Sequence, residues 1–146
     1  MNTLAYLGFA LEGAGRLYLR RFEERAREFA LEPMSCKTLL VLAGNEGSTQ
    51  HRLSQLTLLD PSTMGRILDR LEAKGLVERR HRPRDRRARS VVLTREAAEI
   101  LPLLWQAATD SLRETLSGMS TDEKRHAVEM LQRALSLMLG DCASAR

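Results

Sequence analysis

Residues 59–94 read LDPSTMGRILDRLEAKGLVERRHRPRDRRARSVVLT, and this stretch decides the fold. Asp60 offers a capping carboxylate, and Pro61 suits the first position of a helix because the N–H that proline lacks would have no partner there. The apolar residues that follow recur every three or four positions, and Gly75 can end the helix. The pattern predicts a helix from Pro61 to about Lys74. Its inward stripe is expected to be Met64, Ile67, Leu68 and Leu71.

A β-hairpin is predicted directly after this helix. Leu76 to Arg80 and Ser90 to Leu93 are short β-compatible runs, joined by a proline-containing, arginine-rich loop. Residues 79–89 contain seven arginines and one aspartate. Residues 66–89 carry a net charge of +6 in a chain whose total is +4, so the remainder is net −2. Such a local concentration favours a basic wing that attracts a polyanion over an ordinary solvated surface.

Two helices are predicted at the N-terminus. Apolar residues recur at helical spacing through the first thirty residues, which predicts a helix over roughly residues 3–30. Pro33 disfavours helix in the residue before it, and Ser35 can cap a second helix. That helix is expected over residues 36–43 and should end at Gly44.

A third, short helix should precede the deciding stretch. Thr49 can cap it, and a turn at residues 57–59 should close it. Gln50 and His51 lie near its exposed start and are candidates for contacts to a phosphate backbone. The residues expected to face the core are Leu53 and Leu56.

Two further helices are predicted at the C-terminus. Thr94 can cap a long fifth helix, which Pro102 should bend. Ser120 and Glu123 form the S-x-x-E pattern of a capping box, which predicts a sixth helix through about Leu139, before Gly140. The apolar side of the fifth helix is expected to contain Ile100, Leu101, Leu104, Trp105, Ala108, Leu112 and Leu116.

Length and composition are those of a globular protein. The 146 residues, 43% of them apolar, suffice for one compact domain or two small, closely joined parts. No long uncharged apolar run and no signal-peptide pattern is found, so a soluble cytoplasmic protein without a membrane partner is expected. Cys36 and Cys142 are far apart in sequence and suggest neither a disulfide framework nor a metal site.

The deciding stretch resembles the recognition helix and wing of the MarR family of transcriptional regulators. The matching motifs are a DPST helix start at 60–63, LDRLEAKGLVERR at 68–80, a P-x-D-x-R element at 83–87 and V-x-L-T at 91–94. Their order and spacing agree throughout. Outside residues 49–94 the resemblance rests on the order of the helices.

The resemblance implies a mainly α fold with a small two-stranded β-wing, a winged helix-turn-helix with long N- and C-terminal dimerisation helices. Residues 33–94 would form the DNA-binding region, and residues 1–32 together with 95–146 the dimerisation region, within one intertwined domain. It further implies a homodimeric regulator, a repressor, that binds an inverted repeat in double-stranded DNA. A small aromatic or phenolic ligand would release it. The uncovered apolar stripes of the first helix and the last two also call for a second copy.

The predicted recognition residues lie at the start of the fourth helix and along one of its faces. The free N–H groups at this start, with Pro61, Ser62 and Thr63, can meet phosphates, and Arg66 can meet base edges in the major groove. Arg70 lies four residues further on the same face. It is a secondary candidate, because it could instead pair with Asp69 or with an acidic group on the wing.

The predicted wing residues are arginines and one aspartate. Asp85 can pair with Arg87 across the turn and hold it for the minor groove or a phosphate, and the resemblance implies that role for Arg87. Arg84, Arg86 and Arg89 are expected to contact phosphates without reading sequence, although at least one of them can be merely solvated.

The sequence gives less support to other classes of function. The chain lacks the common catalytic motifs, its three histidines fall in separate elements, and no cofactor or metal is expected. A cysteine-based redox regulator of the same fold remains an alternative, through Cys36 or Cys142. So does a basic helical protein-interaction module without specific DNA binding. The effector residues are unknown, since packing and solvation explain Arg16, Tyr18, Arg20 and Trp105 equally well.

Overall fold

A computed structural model describes the backbone of residues 3–82 and 85–141 and the side chains of residues 6–82 and 89–137. It confirms the predicted mainly α fold with one two-stranded antiparallel sheet. The chain divides after Thr115 into two compact units. The elements are α1 (Thr3–Ala26), α2 (Pro33–Ala43), α3 (Gln50–Thr57), α4 (Pro61–Ala73), β1 (Val77–Arg82), β2 (Asp85–Leu93), α5 (Arg95–Thr115) and α6 (Thr121–Asp141), with a single 3-10 turn at Arg27–Phe29.

The core of the first unit is built from the apolar faces of its helices and the base of the hairpin. The predicted inward stripe of α4 is fully or almost fully buried, as are Leu39 and Leu42 of α2 and Leu53 of α3. Val77 and Val91 extend this core from the sheet. Burial of these side chains, at about 1.5–3 kcal/mol each relative to exposure, fixes how α4 sits against α2 and α3.

Four of the five predicted side-chain caps form. Asp60 accepts a 2.9 Å hydrogen bond from the Thr63 N–H, and Thr49 accepts one of 3.2 Å from the Arg52 N–H. At the head of α5, Thr94 likewise caps the Ala97 N–H. The capping box at the start of α6 forms in both directions: the Ser120 N–H donates to the Glu123 carboxylate, and the Glu123 N–H donates to the Ser120 hydroxyl oxygen. Gly75, which follows α4, has a φ of +70°, so a left-handed residue ends that helix as predicted.

Three helix boundaries differ from the predictions. The first helix passes into a 3-10 turn and ends before Ala30, whose φ is +52°. The second begins at Pro33 rather than after Ser35, because proline occupies the first helical position with Glu32 as an extended N-cap. Ser35 is therefore buried within the helix and is not its cap. The last helix continues through Gly140 to its final described residue.

The hairpin strands are longer than predicted. Residues 81 and 82 extend β1, and β2 starts at Asp85, so most of the expected arginine-rich loop is strand. Val77 pairs with Leu93 and Arg80 with Ser90, and the register shifts between His81 and Arg82. Cross-strand pairing thus extends through His81 and Arg82, which the propensity of the sequence did not indicate.

The buried face of α5 is rotated from the predicted one. Leu104 is buried as expected, but its neighbours in the core are Ala97, Ala107 and Ser111. Trp105 and Leu112, expected on the apolar side, are 52% and 41% exposed. Ile100, Leu101 and Ala108 pack against the core from the edge. Pro102 lies inside the helix, as its position predicts.

Alpha-helices α1 and α5 are also joined by polar contacts. Arg25 forms an ion pair with Glu114 and a 3.3 Å hydrogen bond with Ser111, and Arg21 donates to Thr115 at 3.1 Å. Within the described part of the chain, no helix is both long and apolar enough to cross a membrane.

Candidate nucleic-acid interface

The first turn of α4 is organised by Asp60. Its two carboxylate oxygens accept hydrogen bonds from the N–H and the hydroxyl of Thr63, at 2.9 and 2.6 Å. These bonds, the side-chain one first, lower the pKa of Asp60 below its usual value. Ser62 and Pro61 are exposed beside them. The start of the helix is thus a rigid, open surface with two hydroxyl groups.

Arg66 extends this surface along the helix. Its guanidinium reaches back to the Thr63 hydroxyl at 3.4 Å, and its side chain is otherwise exposed. The contact is long and weak, so it orients the arginine over the helix start without engaging it fully. Of the arginines predicted on this face, Arg66 is the one that leaves its charge over the first turn of α4.

Arg70 forms an ion pair that the sequence did not indicate. Its partner among the described side chains is Glu32, at the N-cap of α2, rather than Asp69. The two side chains remain 49% and 60% exposed, so the pair is worth about 0–1 kcal/mol and can exchange for other partners. Lys74, at the end of α4, makes a second contact to the segment that precedes α2, because its ammonium donates to the Ala30 carbonyl at 3.1 Å.

Arg79 of β1 is held away from solvent between two carboxylates of α4. Its guanidinium donates to Asp69 and to Glu72, each at 2.6 Å, while its N–H donates to Glu72 at 3.1 Å. Burial opposes its charge, but these two carboxylates more than compensate and leave its pKa raised. Arg79, which is not among the predicted DNA contacts, is therefore held by α4 although it lies within the arginine-rich segment. Asp69 and Glu72 lie three residues apart on one face of α4, and this spacing was the sequence signal from which the contact could have been predicted.

The base of the wing is attached to the loop before α3. Backbone hydrogen bonds join Val91 to Gly47 and Ser48 at 3.0 and 2.8 Å. Arg82 donates to the Gly47 carbonyl at 3.0 Å. Arg89 is exposed and pairs with His81 in the ladder. The side chains of Arg84, Asp85, Arg86 and Arg87 lie outside the described residues.

The two candidates on α3 differ. Gln50 is half-buried and donates to the Pro61 carbonyl at 3.3 Å, so its amide joins α3 to the start of α4. A Cβ added at Gly65 would approach this amide to 3.0 Å, which shows how closely the two helices pack there. His51 is exposed. The structure therefore gives Gln50 a positioning contact and leaves the His51 imidazole open.

An open cavity of about 680 Å³ lies elsewhere in the first unit, among α1, α2, α3 and α5. Its walls are mostly apolar, and Lys37 carries the only charge among the described residues that line it. The Lys37 ammonium donates a 2.7 Å hydrogen bond to the Thr57 carbonyl, and burial lowers its pKa. Tyr18 and Trp105 line the cavity, whereas Arg16 and Arg20 do not. The other lining residues are Gly15, Leu19, Phe22, Pro33, Leu40, Val41, Gly44, Asn45 and Leu56.

Cys36 is fully buried in the core. Burial raises the pKa of its thiol to about 11, despite a lowering contribution from its backbone hydrogen bond. A thiol in this state is a packing residue rather than a reactive one, which argues against its part in the redox alternative. Cys142 lies outside the described residues.

Comparisons with known proteins agree with this architecture. The model of the MarR family matches residues 31–88, which contain α2, α3, α4 and β1. The HTH-type transcriptional repressor NicR of Pseudomonas putida is 26% identical over 129 residues, covering 88% of this chain and 82% of its own. An uncharacterised HTH-type transcriptional regulator of Bacillus subtilis, YdgJ, is 26% identical over 86% of this chain and 74% of its own.

Solved structures extend the match to most of the chain. MarR from Escherichia coli, in its apo form, superposes with a TM-score of 0.76 at 26% identity, covering 88% of this chain and 96% of its own. A mutant of the same protein complexed with operator DNA gives 0.79 at 26% identity, covering 92% and 96%. The winged helix, its motifs and these relatives lead to one conclusion: residues 31–88 match the MarR family, and the chain is similar in sequence and fold to DNA-binding transcriptional regulators of that family.

Proposed function

We propose that the chain is a homodimeric repressor that binds an inverted repeat in double-stranded DNA and is released by a small aromatic acid. The observation that carries the proposal is the open first turn of α4, with Ser62 and Arg66 exposed beside an arginine-rich hairpin. A repressor role is supported by the relative NicR, which is named a repressor. Operator binding is supported by the related MarR structure with operator DNA.

In this proposal α4 enters the major groove. Its exposed start directs backbone N–H groups and the hydroxyls of Ser62 and Thr63 at phosphates, and Arg66 follows on the same open surface. Arginine reads guanine through two parallel hydrogen bonds to O6 and N7. Arg66 therefore distinguishes base pairs, Arg70 leaves Glu32 to meet a phosphate, and Pro61 sets the approach of the helix. Gln50 and His51 meet the backbone from α3.

The wing supplies the remaining DNA contacts. Arg87 enters the minor groove, oriented by Asp85, while Arg84, Arg86 and Arg89 neutralise phosphates. The attachment of β2 to the loop before α3 gives this hairpin a fixed base from which to reach the adjacent groove.

The dimer is formed by the N- and C-terminal helices, residues 1–32 and 95–146, around the DNA-binding region 33–94. Support comes from apolar side chains that these helices leave exposed, which is costly unless a partner covers them. A second copy of the chain is the simplest partner that could cover these apolar helix faces, because it carries the same faces itself. The exposed residues include Tyr6, Leu7, Phe9, Leu11, Leu103, Trp105, Leu112, Val128, Met130, Leu131, Leu135 and Leu137.

The effector occupies the cavity beside Lys37. Apolar and aromatic walls suit a ring, and the one ammonium suits a carboxylate, so a small aromatic acid fits by charge and polarity. The cavity lies beside α2 and α3, the two helices on which α4 packs, so a guest there has a route to the DNA-binding surface.

Selection from a pool of random duplexes tests the central claim. The wild-type protein should enrich an inverted repeat whose half-sites lie about one turn, roughly 10 bp, apart. Arg66→Ala should lose preference at particular base pairs within each half-site, at a cost of about 1–3 kcal/mol. Enrichment of no sequence would refute specific recognition and favour a basic interaction module. Sedimentation as a folded 16.5 kDa monomer at micromolar concentration would refute the dimer.

A further inference from the structure

Lys37 is a half-buried cation whose observed partner is a neutral carbonyl. Lys37 lines the cavity, and its ammonium donates to the Thr57 carbonyl oxygen at 2.7 Å. Among the described lining residues none carries a negative charge, and the only other side-chain polar groups are the Tyr18 phenol, the Asn45 amide and the Trp105 indole. A carbonyl balances an ammonium poorly in a desolvated place, because it carries no compensating charge. The site is therefore complementary to a guest with a carboxylate.

The carbonyl that Lys37 holds has a particular place in the fold. Thr57 is the last residue of α3, where backbone carbonyls have no partner within the helix. The Thr57 side chain is buried and its hydroxyl donates to the Leu53 carbonyl at 2.7 Å, while the Lys37 ammonium reaches the Thr57 carbonyl oxygen from α2. The ammonium thus acts as a C-terminal cap supplied by a neighbouring helix.

The turn after Thr57 leads directly into α4. Leu58 has a φ of +59°, which is unfavourable for a residue with a side chain, and it is largely exposed. Its N–H donates to the Gln55 carbonyl at 3.3 Å, and the Leu59 N–H to the Ser54 carbonyl at 3.1 Å. Asp60, the cap of α4, follows immediately. The connection from α3 to α4 thus contains one residue in a strained conformation, Leu58, and the Lys37 bond stabilises Thr57, the residue immediately before it.

We propose that Lys37 couples the cavity to the recognition helix: a carboxylate guest takes the ammonium from the Thr57 carbonyl, and the turn that positions α4 loosens. The inference rests on the proposed function, because displacing the start of α4 lowers DNA affinity only if the chain binds DNA through α4. It adds the group that senses the guest and the bond that transmits the signal. By thermodynamic reciprocity, bound DNA must lower the affinity of the protein for the guest by the same factor by which the bound guest lowers its affinity for DNA.

Benzoate serves as the probe, with neutral benzamide as its control. The single tryptophan, Trp105, lines the cavity, so its fluorescence reports occupancy without DNA. Benzoate should change this fluorescence with saturation, and benzamide should bind at least about tenfold more weakly because it brings no charge to Lys37. Bound benzoate should also speed hydrogen exchange at the Leu58 and Leu59 amides and lower DNA affinity by about 5- to 150-fold.

Two variants separate sensing from folding. Lys37→Met keeps the length of the side chain without its charge, so it should abolish benzoate binding and leave the two turn amides fast-exchanging at all times. Lys37→Arg keeps a cation and should retain benzoate binding. Tyr18→Phe, a control in the same cavity, should leave turn exchange unchanged.

Several results would overturn the inference. If benzoate fails to bind, or binds equally well to Lys37→Met, Lys37 is not the group that senses the guest. If benzoate binds through Lys37 while the Leu58 and Leu59 amides exchange as before, the Lys37–Thr57 bond does not transmit the signal to the turn. Fluorescence and exchange are measured without DNA, so failure to select any duplex would refute the proposed function while these readouts still decide the inference.

Discussion

Arg79 of β1 donates a 2.6 Å hydrogen bond to Asp69 of α4, and this ion pair joins the recognition helix to the wing. The arginine side chain is only 15% exposed, and Glu72 of the same helix flanks it on the other side. This pair differs from the fully exposed pairs of this surface, because the arginine is largely buried and both of its carboxylate partners would lose their shared cation if it were removed. Arg79 is thus a structural residue within a basic segment.

Arg79→Ala should destabilise the protein by about 1–3 kcal/mol, the cost of losing charge-assisted hydrogen bonds at a largely buried site. Urea unfolding followed by circular dichroism measures this change. Arg80→Ala is the matched control, since Arg80 pairs with Glu78 in the open and its removal should stay within about 0.5 kcal/mol. Equal losses for both variants would show that Arg79 has no special structural role.

Glu32→Gln should tighten DNA binding about two- to fivefold at low salt, because it releases Arg70 for a phosphate and removes a nearby negative charge. Stability should change by less than about 1 kcal/mol, since the pair is exposed. Fluorescence anisotropy with a selected duplex measures the affinity. Glu129→Gln removes the same charge from α6 and serves as the control. Weaker binding by Glu32→Gln would mean that the ion pair positions α4 instead of competing with DNA.

Local chemistry explains which features the sequence could predict. The caps at Asp60, Thr49 and Thr94 each involve residues three apart, so the pattern of side chains contains the whole interaction. The inward stripe of α4 was predictable for the same reason, because helical periodicity alone separates its buried face from its exposed one.

Contacts between distant residues were not predictable. The partner of Arg70 lies 38 residues away and depends on how α2 packs against α4. The packing of β1 against α4 turns Arg79 inward, although Arg80, Arg82 and Arg89 of the same arginine-rich segment are exposed. On α5, several faces are apolar, and the sequence could not show that Trp105 and Leu112 lie outside the core of a single chain.

Asp60→Asn should reduce the dependence of stability on pH. The pKa of Asp60 is lowered in the folded state, so its carboxylate contributes stability that is complete above the unfolded pKa of about 3.9 and is lost as pH falls through the folded value. Asparagine still caps a helix but does not titrate there. Urea unfolding at pH 7 and pH 3 should show a smaller loss for the variant. An identical loss in both proteins would exclude Asp60 from the acid response.

Cys36 should be inert in the folded protein. In a Cys142→Ser background, reaction with a thiol reagent at pH 8 should be slow and should become fast only in urea, because the buried thiol has a pKa of about 11. Peroxide should leave DNA binding of this variant unchanged. Rapid labelling of the folded protein, together with loss of DNA binding on oxidation, would restore the redox-sensing alternative.

The salt dependence of DNA binding should report the arginines that remain free. Without Arg79, the proposed charged contacts are Arg70 of α4 and Arg84, Arg86, Arg87 and Arg89 of the wing, or roughly ten in a dimer, so log K should fall against log salt with a slope of about −9. Arg87→Ala removes one contact per subunit and should flatten that slope by about two. Arg79→Ala should leave the slope nearly unchanged.

Asp85→Ala gives the sharpest test of the wing, because two accounts predict opposite signs. If Asp85 orients Arg87, its removal should weaken DNA binding although it deletes a negative charge. If Asp85 only adds charge to the surface, its removal should tighten binding to a polyanion. Anisotropy titrations at moderate salt, with Glu78→Ala as a second loss of negative charge on the hairpin, separate these accounts. Tighter binding by both variants would show that Asp85 does not organise the wing.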